Sequence, residues 1–328
     1  MSLTPPIEPM LAEARRQLPS ANALPGGVVA EQKPDGFRAI VFARRDLVMV
    51  QSRQGTDLTS AFPDIARAAR ALGHSLVLDG ELVVPRQGRL DFAALQRRAR
   101  RRGRSAEQAA AADPAYLIAF DVLESDGTNL MPLPYRDRRA RLESLFATGG
   151  LDAPFTLCPA TTDWATTQDW LDPAWGSAGI EGVVLKGLSQ PYLPGKRAWI
   201  KVRSQVTAEA VIGGVTGSLT APLTLLLGRY DACDDLRLVA RTTPLATSVR
   251  RELAECLTPA TPDHPWAGRR FSAGWGTRGE LMYYPVTPEL VAEFVADTAV
   301  DAGRYRHPVR FIRIRDDLTA ADVPGFSD

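Results

Sequence analysis

The octapeptide Glu31-Gln32-Lys33-Pro34-Asp35-Gly36-Phe37-Arg38 concentrates groups able to do chemistry: a lysine between two carboxylates, beside a proline, a tight-turn glycine and an arginine. Lysine is scarce in this chain. Only Lys33, Lys186, Lys196 and Lys201 occur among 39 basic residues, so arginine meets the general need for positive charge. A lysine kept in such a background points to its own properties, either an amine that can shed its proton and attack or a compact charge on a phosphate. A free lysine, with a pKa of about 10.4, is protonated at neutral pH, so nearby cations or burial must lower that value before it attacks. Lys186 and Lys201 could be those cations, and both could hold phosphate oxygens. Attack by the Lys33 nitrogen on a phosphorus would give a phosphoramidate and expel pyrophosphate. Glu81 and Glu181 would then have a use as oxygen ligands for the Mg²⁺ that arrives with a nucleotide.

Hydrophobic patterning places these residues on strands. The runs 28–30 and 39–43 flank the octapeptide and read as two strands of an antiparallel sheet, followed by strands at 47–51 and 75–78. Phe62, Ile65, Ala69 and Leu72 at helical spacing predict a helix over 61–72. Helices are also expected at 92–101 and 136–146, with shorter ones at 9–18 and 167–171 and a helical or flexible Ala-rich piece at 106–112. The unbroken apolar run 116–123 reads as a buried strand carrying Phe120, and strands are expected near 157–160, at 181–186 and at 199–203. Beyond Arg203 the pattern changes to short strands at 208–215, 223–230, 236–241, 281–284 and 309–314, interrupted by one helix at 248–257. That is the element content of a small β-barrel of OB type.

Composition narrows the class. With 328 residues the chain exceeds the usual single core and predicts two domains. No apolar run is long enough to span a bilayer, and the first residues lack a secretory signal, so no membrane association is expected. Cys158, Cys233 and Cys256 form no CxxC pair, which suits a reducing cytoplasm and argues against zinc. Net charge is +1, but six arginines crowd into 97–104. Such a run is either a solvated helix end or a contact for a phosphate backbone.

The order of the motifs then carries an identification. Glu31 to Arg38, Ser52-Arg53-Gln54-Gly55, Asp79-Gly80-Glu81, Phe120-Asp121-Val122-Leu123, Glu181-Gly182-Val183-Val184-Leu185-Lys186 and Trp199-Ile200-Lys201-Val202-Arg203 resemble the successive motifs of ATP-dependent DNA ligases. Arg306 to Asp316 resembles the last motif, on their OB domain. The resemblance implies an α+β protein: an antiparallel-sheet, ATP-grasp-like nucleotidyltransferase (adenylation) domain over 1–203, then an OB-fold domain over 204–328. It implies that Lys33 takes AMP from ATP, that Glu31 reads the adenine amino group and that Phe120 stacks on the base. Glu81 would bind the ribose and share the metal, Mg²⁺ or Mn²⁺, with Glu181. Arg38 and Arg53 would hold the nucleotide or nick phosphate, Lys186 and Lys201 the α-phosphate, and Arg315 the leaving pyrophosphate. The implied protein is a cytoplasmic monomer that seals nicked duplex DNA, in repair or recombination.

Two departures stand out. Arg203 occupies a place where the family usually has a second lysine, and Asp317 one where it has a lysine after the aspartate. The second reverses a charge and leaves a catalytically impaired DNA-binding homologue as one alternative. An RNA ligase or a capping-type nucleotidyltransferase, which shares the Lys-x-Asp-Gly core, is the other.

Overall fold

Alternation of side chains along strands decides what faces the site. In the computed structural model, which describes residues 2–272 and 279–326, the chain divides into two units, Met1–Ser204 and Gln205–Asp328. The first unit is built on β1 (Leu11–Arg15), β2 (Val28–Pro34), β3 (Phe37–Ala43), β4 (Val48–Ser52), β5 (Leu76–Val83), β6 (Tyr116–Ser125), β7 (Phe155–Leu157), β8 (Ala160–Thr161), β9 (Ile180–Gly187) and β10 (Arg197–Arg203). They pair in two sheets, ordered β1-β10-β9-β2-β8 and β7-β6-β5-β3-β4, the latter joined by a short strand at Thr128–Asn129. Pairing is antiparallel except for β1 on β10 and β7 on β6.

In the first sheet Val28, Ala30, Val183, Leu185, Ile200 and Val202 point to one face, where Trp170 covers them. Residues of the opposite parity, Glu31, Lys33, Val184, Lys186, Trp199 and Lys201, therefore share the other face. The second sheet sends Ala39, Val41, Leu76, Leu78, Leu117 and Ala119 into the main core, under α1 (Pro63–Ala71) and α2 (Phe92–Ala99). Its other face carries Arg38, Ile40, Phe42, Val77, Asp79 and Glu81. Ile40, Phe42, Val77, Phe120, Tyr192 and Trp199 from the two sides form one apolar layer. Each such buried side chain is worth about 1.5–3 kcal/mol, and together they hold the two site-bearing faces against each other.

Several expectations change. The runs 28–30 and 39–43 are not partners, because β2 and β3 lie in different sheets. The Asp35-Gly36 turn passes the chain between them, so close to β5 that a Cβ on Gly36 would stand 2.2 Å from the Leu82 carbonyl oxygen. The helix expected at 9–18 is strand β1: a lone short helix is marginal in water, whereas Leu11–Arg15 finds a ready edge on β10. The arginine run is not all solvated. Arg98 is buried, forks onto Asp64 at 2.8 Å with both terminal nitrogens and stacks 5.0 Å over Phe62, while its neighbours in the run are exposed. The Ala-rich piece is a helix, α3 (Arg104–Ala112), and a longer α4 (Tyr135–Ala147) packs on β6. A short α5 (Trp164–Asp169) covers the back of the first sheet.

The second unit has β11 (Gln205–Ser218), β12 (Ala221–Tyr230), β13 (Leu236–Arg241), β14 (Val291–Asp297) and β15 (Arg310–Ile314) in the order β13-β12-β11-β14-β15, with α6 (Thr247–Cys256) after β13. The described strands do not close into a continuous barrel, but the two edges touch at a parallel bridge between Thr242 and Val309. The expected strand at 281–284 is reduced to Tyr284–Pro285, and β14 was not anticipated. Trp266, fully buried, donates its indole N–H to the Leu236 carbonyl at 2.7 Å and lies where a Cβ on Gly213 or Gly228 would be. Among the described residues no helix is long and apolar enough to cross a membrane.

Candidate active site

Lys33 stands on β2 one residue before its end at Pro34, next to the crossover turn, so its amine sits where the two sheets part. Its Nζ pairs with Glu181 Oε2. Glu181 reaches it because the β2–β9 register slips between Ile180 and Val183. The slip needs Gly182, which has φ +135° and whose Cβ would lie 2.3 Å from the Val202 carbonyl oxygen. Arg203 Nε stands 3.7 Å from the same Glu181 oxygen, so the arginine found in place of a lysine still delivers charge there. Lys201, opposite Val184 on β10, is held below the usual lysine pKa, first by burial and then by Arg203, Lys33 and the exposed Arg53. This end of the cleft gathers four cations.

Across from them, burial pushes the Glu81 carboxyl up to about 7, with Glu181 and Asp35 pushing the same way and Lys33 and Arg38 pulling it down. Two carboxylates thus converge on one lysine. Among the described residues no set of three or more His, Cys, Asp or Glu forms a dedicated metal cage. A pair of carboxylates nevertheless fits Mg²⁺, which keeps several waters and takes one or two protein carboxylates together with phosphate oxygens.

Arg38 is committed elsewhere. Its Nε and Nη2 each lie 2.6 Å from an oxygen of buried Asp79, Nη2 also reaches the Met10 carbonyl at 3.2 Å, and its guanidinium stands 4.6 Å from the Phe120 ring centroid. The Tyr192 hydroxyl donates to the same Asp79 at 2.7 Å. Lys186 is 1% exposed. Its Nζ is 2.6 Å from Glu31 Oε2 and 3.0 Å from the Phe120 carbonyl oxygen, enclosed by the rings of Phe120, Tyr135 and Trp199 at 4.3–4.9 Å. The structure therefore brings together Lys33, Glu181, Glu81, Lys201 and Arg53 at one end and Glu31, Lys186 and Phe120 at the other. Asp121 pairs with Arg138, both fully buried. Arg315 lies in the second unit, where its side chain is taken by Asp317 and Glu209.

Sequence reading missed Tyr135, Arg138 and Arg139, all on α4. Tyr135 donates its hydroxyl to Glu31 Oε1, and Arg139 Nη1 lies 3.4 Å from that oxygen. The signal was weak: 136–146 looks like a charged surface helix, and nothing local says that two of its arginines turn inward.

The description "ATP dependent DNA ligase domain" matches residues 9–203, more than half of the chain. The chain belongs to the ATP-dependent DNA ligase family. DNA ligase C2 of Mycolicibacterium smegmatis is 35% identical to this ligase over 340 residues, spanning 98% of this chain and 93% of that protein. DNA ligase C of Mycobacterium tuberculosis is 35% identical over 339 residues, spanning 97% and 92%. Among solved structures, the ligase domain from M. tuberculosis LigD has 28% identity and a TM-score of 0.50, covering 97% of this ligase and 98% of that chain. The mycobacterial DNA ligase D complexed with ATP and MES has 27% identity and the same TM-score and coverage.

Proposed function

We propose that this ligase seals nicks in duplex DNA through a covalent lysyl-AMP on Lys33 and then a DNA-adenylate, as a cytoplasmic monomer serving DNA repair. The observation that carries the reading is the Lys33–Glu181 pair at the mouth between the two sheets, ringed by Lys201, Arg203 and Arg53. The surrounding positive charge favours the neutral amine as nucleophile and receives an α-phosphate.

In the first step Lys33 Nζ bonds to the α-phosphorus of ATP, loses a proton and expels pyrophosphate. Glu181, paired with that amine, is placed to receive the proton or to align the attack. A 5′-phosphate oxygen then attacks the AMP phosphorus and frees Lys33, and the 3′-hydroxyl finally displaces AMP to close the strand. Lys201, Arg203 and Arg53 hold phosphate oxygens through these displacements. Glu81 accepts from the ribose hydroxyls, and Glu81 with Glu181 would hold Mg²⁺ or Mn²⁺. A divalent ion there supplies charge stabilisation for the phosphoryl oxygens.

Burial redirects Lys186 from the α-phosphate to the base end, with Glu31 and Phe120. Arg38, forked on Asp79, acts by shaping the ring-lined wall rather than as a free phosphate ligand. Residues 205–328 are proposed to be the OB-fold domain, supported by the strand order and the Thr242–Val309 bridge between its edges. Arg315 on that unit is proposed to meet the pyrophosphate.

Incubation with α-labelled ATP and with α-labelled GTP, followed by denaturing electrophoresis, tests the reading. Label from ATP on wild type, none on Lys33→Ala, and sealing of a nicked DNA duplex are expected. Labelling from GTP alone, or an adduct on Lys33→Ala, would overturn it.

A further inference from the structure

Glu31 and Lys33 are two residues apart on β2 and so share a face, with their Cα atoms roughly 6.6 Å apart. Moving from Lys33 to Glu31 leaves the cationic end and enters a stretch walled by Phe120, Tyr135 and Trp199, whose rings surround Lys186. A nucleotide with its α-phosphate at Lys33 meets these aromatic walls with its base. Glu31 brings a carboxylate to that wall, and what it offers depends on what already occupies its oxygens.

A carboxylate has about four lone-pair sites and no proton to donate. Glu31 Oε1 takes the Tyr135 hydroxyl and the Arg139 Nη1 at 3.4 Å, and Oε2 takes Lys186 at 2.6 Å. Three sites are filled among the described residues. The one left, on Oε2, accepts a donor and repels an acceptor. The 6-position of adenine carries an amino donor, and that of hypoxanthine or guanine carries a carbonyl acceptor. Arg139 is itself steadied by Glu143 at 2.7 Å. Burial, and next the Glu31 charge, push the Tyr135 phenol well above its ordinary pKa, so it remains a donor.

We infer that Tyr135 and Arg139 are positioning residues that set base selectivity, by filling Glu31 Oε1 and leaving a single acceptor for the 6-amino group of the purine. The inference rests on the adenylation reading above. The family resemblance implies that Glu31 reads the base; the two α4 residues are what make its reading one-sided. Without the Tyr135 hydroxyl the carboxylate has a second open site and freedom to turn, so an oxo group with a bridging water becomes tolerable.

The test is single-turnover adenylation of the full chain with ATP and with inosine triphosphate, which differs from ATP at the 6-position, on wild type, Tyr135→Phe and Arg139→Gln. Wild type should favour ATP on the order of a hundredfold or more, as sites that pair with a specific polar group do. Tyr135→Phe, which removes one oxygen, should reduce that ratio about tenfold, mainly through KM for ATP. Arg139→Gln should move the ratio in the same direction. An unchanged ATP/inosine ratio in variants that still adenylate would overturn the inference, as would a wild type that uses both nucleotides equally, a result that needs no variant to fold. If neither nucleotide labels the wild type, the adenylation reading itself fails, whereas equal labelling from both overturns the selectivity inference alone.

Discussion

Arg315 and Asp317 form a two-pronged ion pair, with Arg315 Nε and Nη2 each 2.8 Å from one of the two carboxylate oxygens. Glu209 takes the remaining terminal nitrogen, Nη1, at 3.0 Å. The charge reversal noticed in the sequence thus lands on the arginine proposed to meet the pyrophosphate. Hydrogen bonding to Arg315 holds the Asp317 carboxyl down to about 2, so the pair persists at any assay pH.

Asp317→Asn should therefore release Arg315 and speed the first step. The pair is exposed on the Asp317 side, so the gain expected is modest, roughly two- to fivefold. Single-turnover adenylation at low ATP reads it, with sealing of pre-adenylated DNA as the control that should not move. A slower first step in Asp317→Asn would mean that the carboxylate orients Arg315 productively instead of restraining it.

Glu81 provides a pH signature. With its carboxyl near pH 7, the deprotonated form needed for ribose and metal is gained as pH rises through 7. Adenylation kcat/KM should climb across that interval, and Glu81→Gln should lose the inflection along with most of the activity. The stability effect has the opposite sign. A folded value raised from 4.5 means the native state holds the proton more tightly, so this group's contribution favours folding at low pH and is lost as pH rises through 7. Glu81→Gln should then melt above wild type at pH 8, with the difference closing towards pH 5.

Much of this was legible in the chain and some was not. The strands bearing Phe120, Glu181 and Lys201, and the first residues of those bearing Lys33 and Glu81, could be read from apolar runs, because the back face of each is buried in a core. The crossover at Asp35-Gly36 could not. A Lys-x-Asp-Gly turn looks like a hairpin until Gly36 is seen against the Leu82 carbonyl. Strand β14 was overlooked although Val291, Phe294 and Ala296 are buried in it, since Ala and Glu dilute its alternation. Tyr135 and Arg139 escaped for another reason: their role comes from a partner more than a hundred residues away, and helix α4 carries charge on every side.

Glu181 is predicted to be the most sensitive carboxylate. It pairs with Lys33 and Arg203 in one place, so Glu181→Gln keeps the shape and removes the charge that balances them. Metal affinity and adenylation should both fall, on the order of 10–100-fold, the range seen when a group that orients a metal site is neutralised. A Mg²⁺ titration of adenylation at saturating ATP reads the effect. A variant with normal Mg²⁺ dependence and a slow step would assign Glu181 to the lysine alone.

Arg138 and Asp121 carry the last prediction. Both are fully buried and joined by two hydrogen bonds, Nε to Oδ1 at 2.8 Å and Nη2 to Oδ2 at 2.9 Å. Arg138 Nη1 also donates to the Leu133 carbonyl at 2.6 Å and the Gln190 carbonyl at 3.2 Å. This ties α4 to β6 and to the loop after β9, and so places Tyr135 and Arg139, which sit on the same helix, over Glu31. Removing one partner leaves an uncompensated buried charge, which destabilises by about 3–5 kcal/mol. Arg138→Met should therefore unfold at clearly lower denaturant than wild type, while Arg138→Met with Asp121→Leu should recover much of the loss, because no charge is then stranded. If the double variant is as unstable as the single one, the carbonyl contacts of Arg138, and not its pairing with Asp121, hold the helix in place.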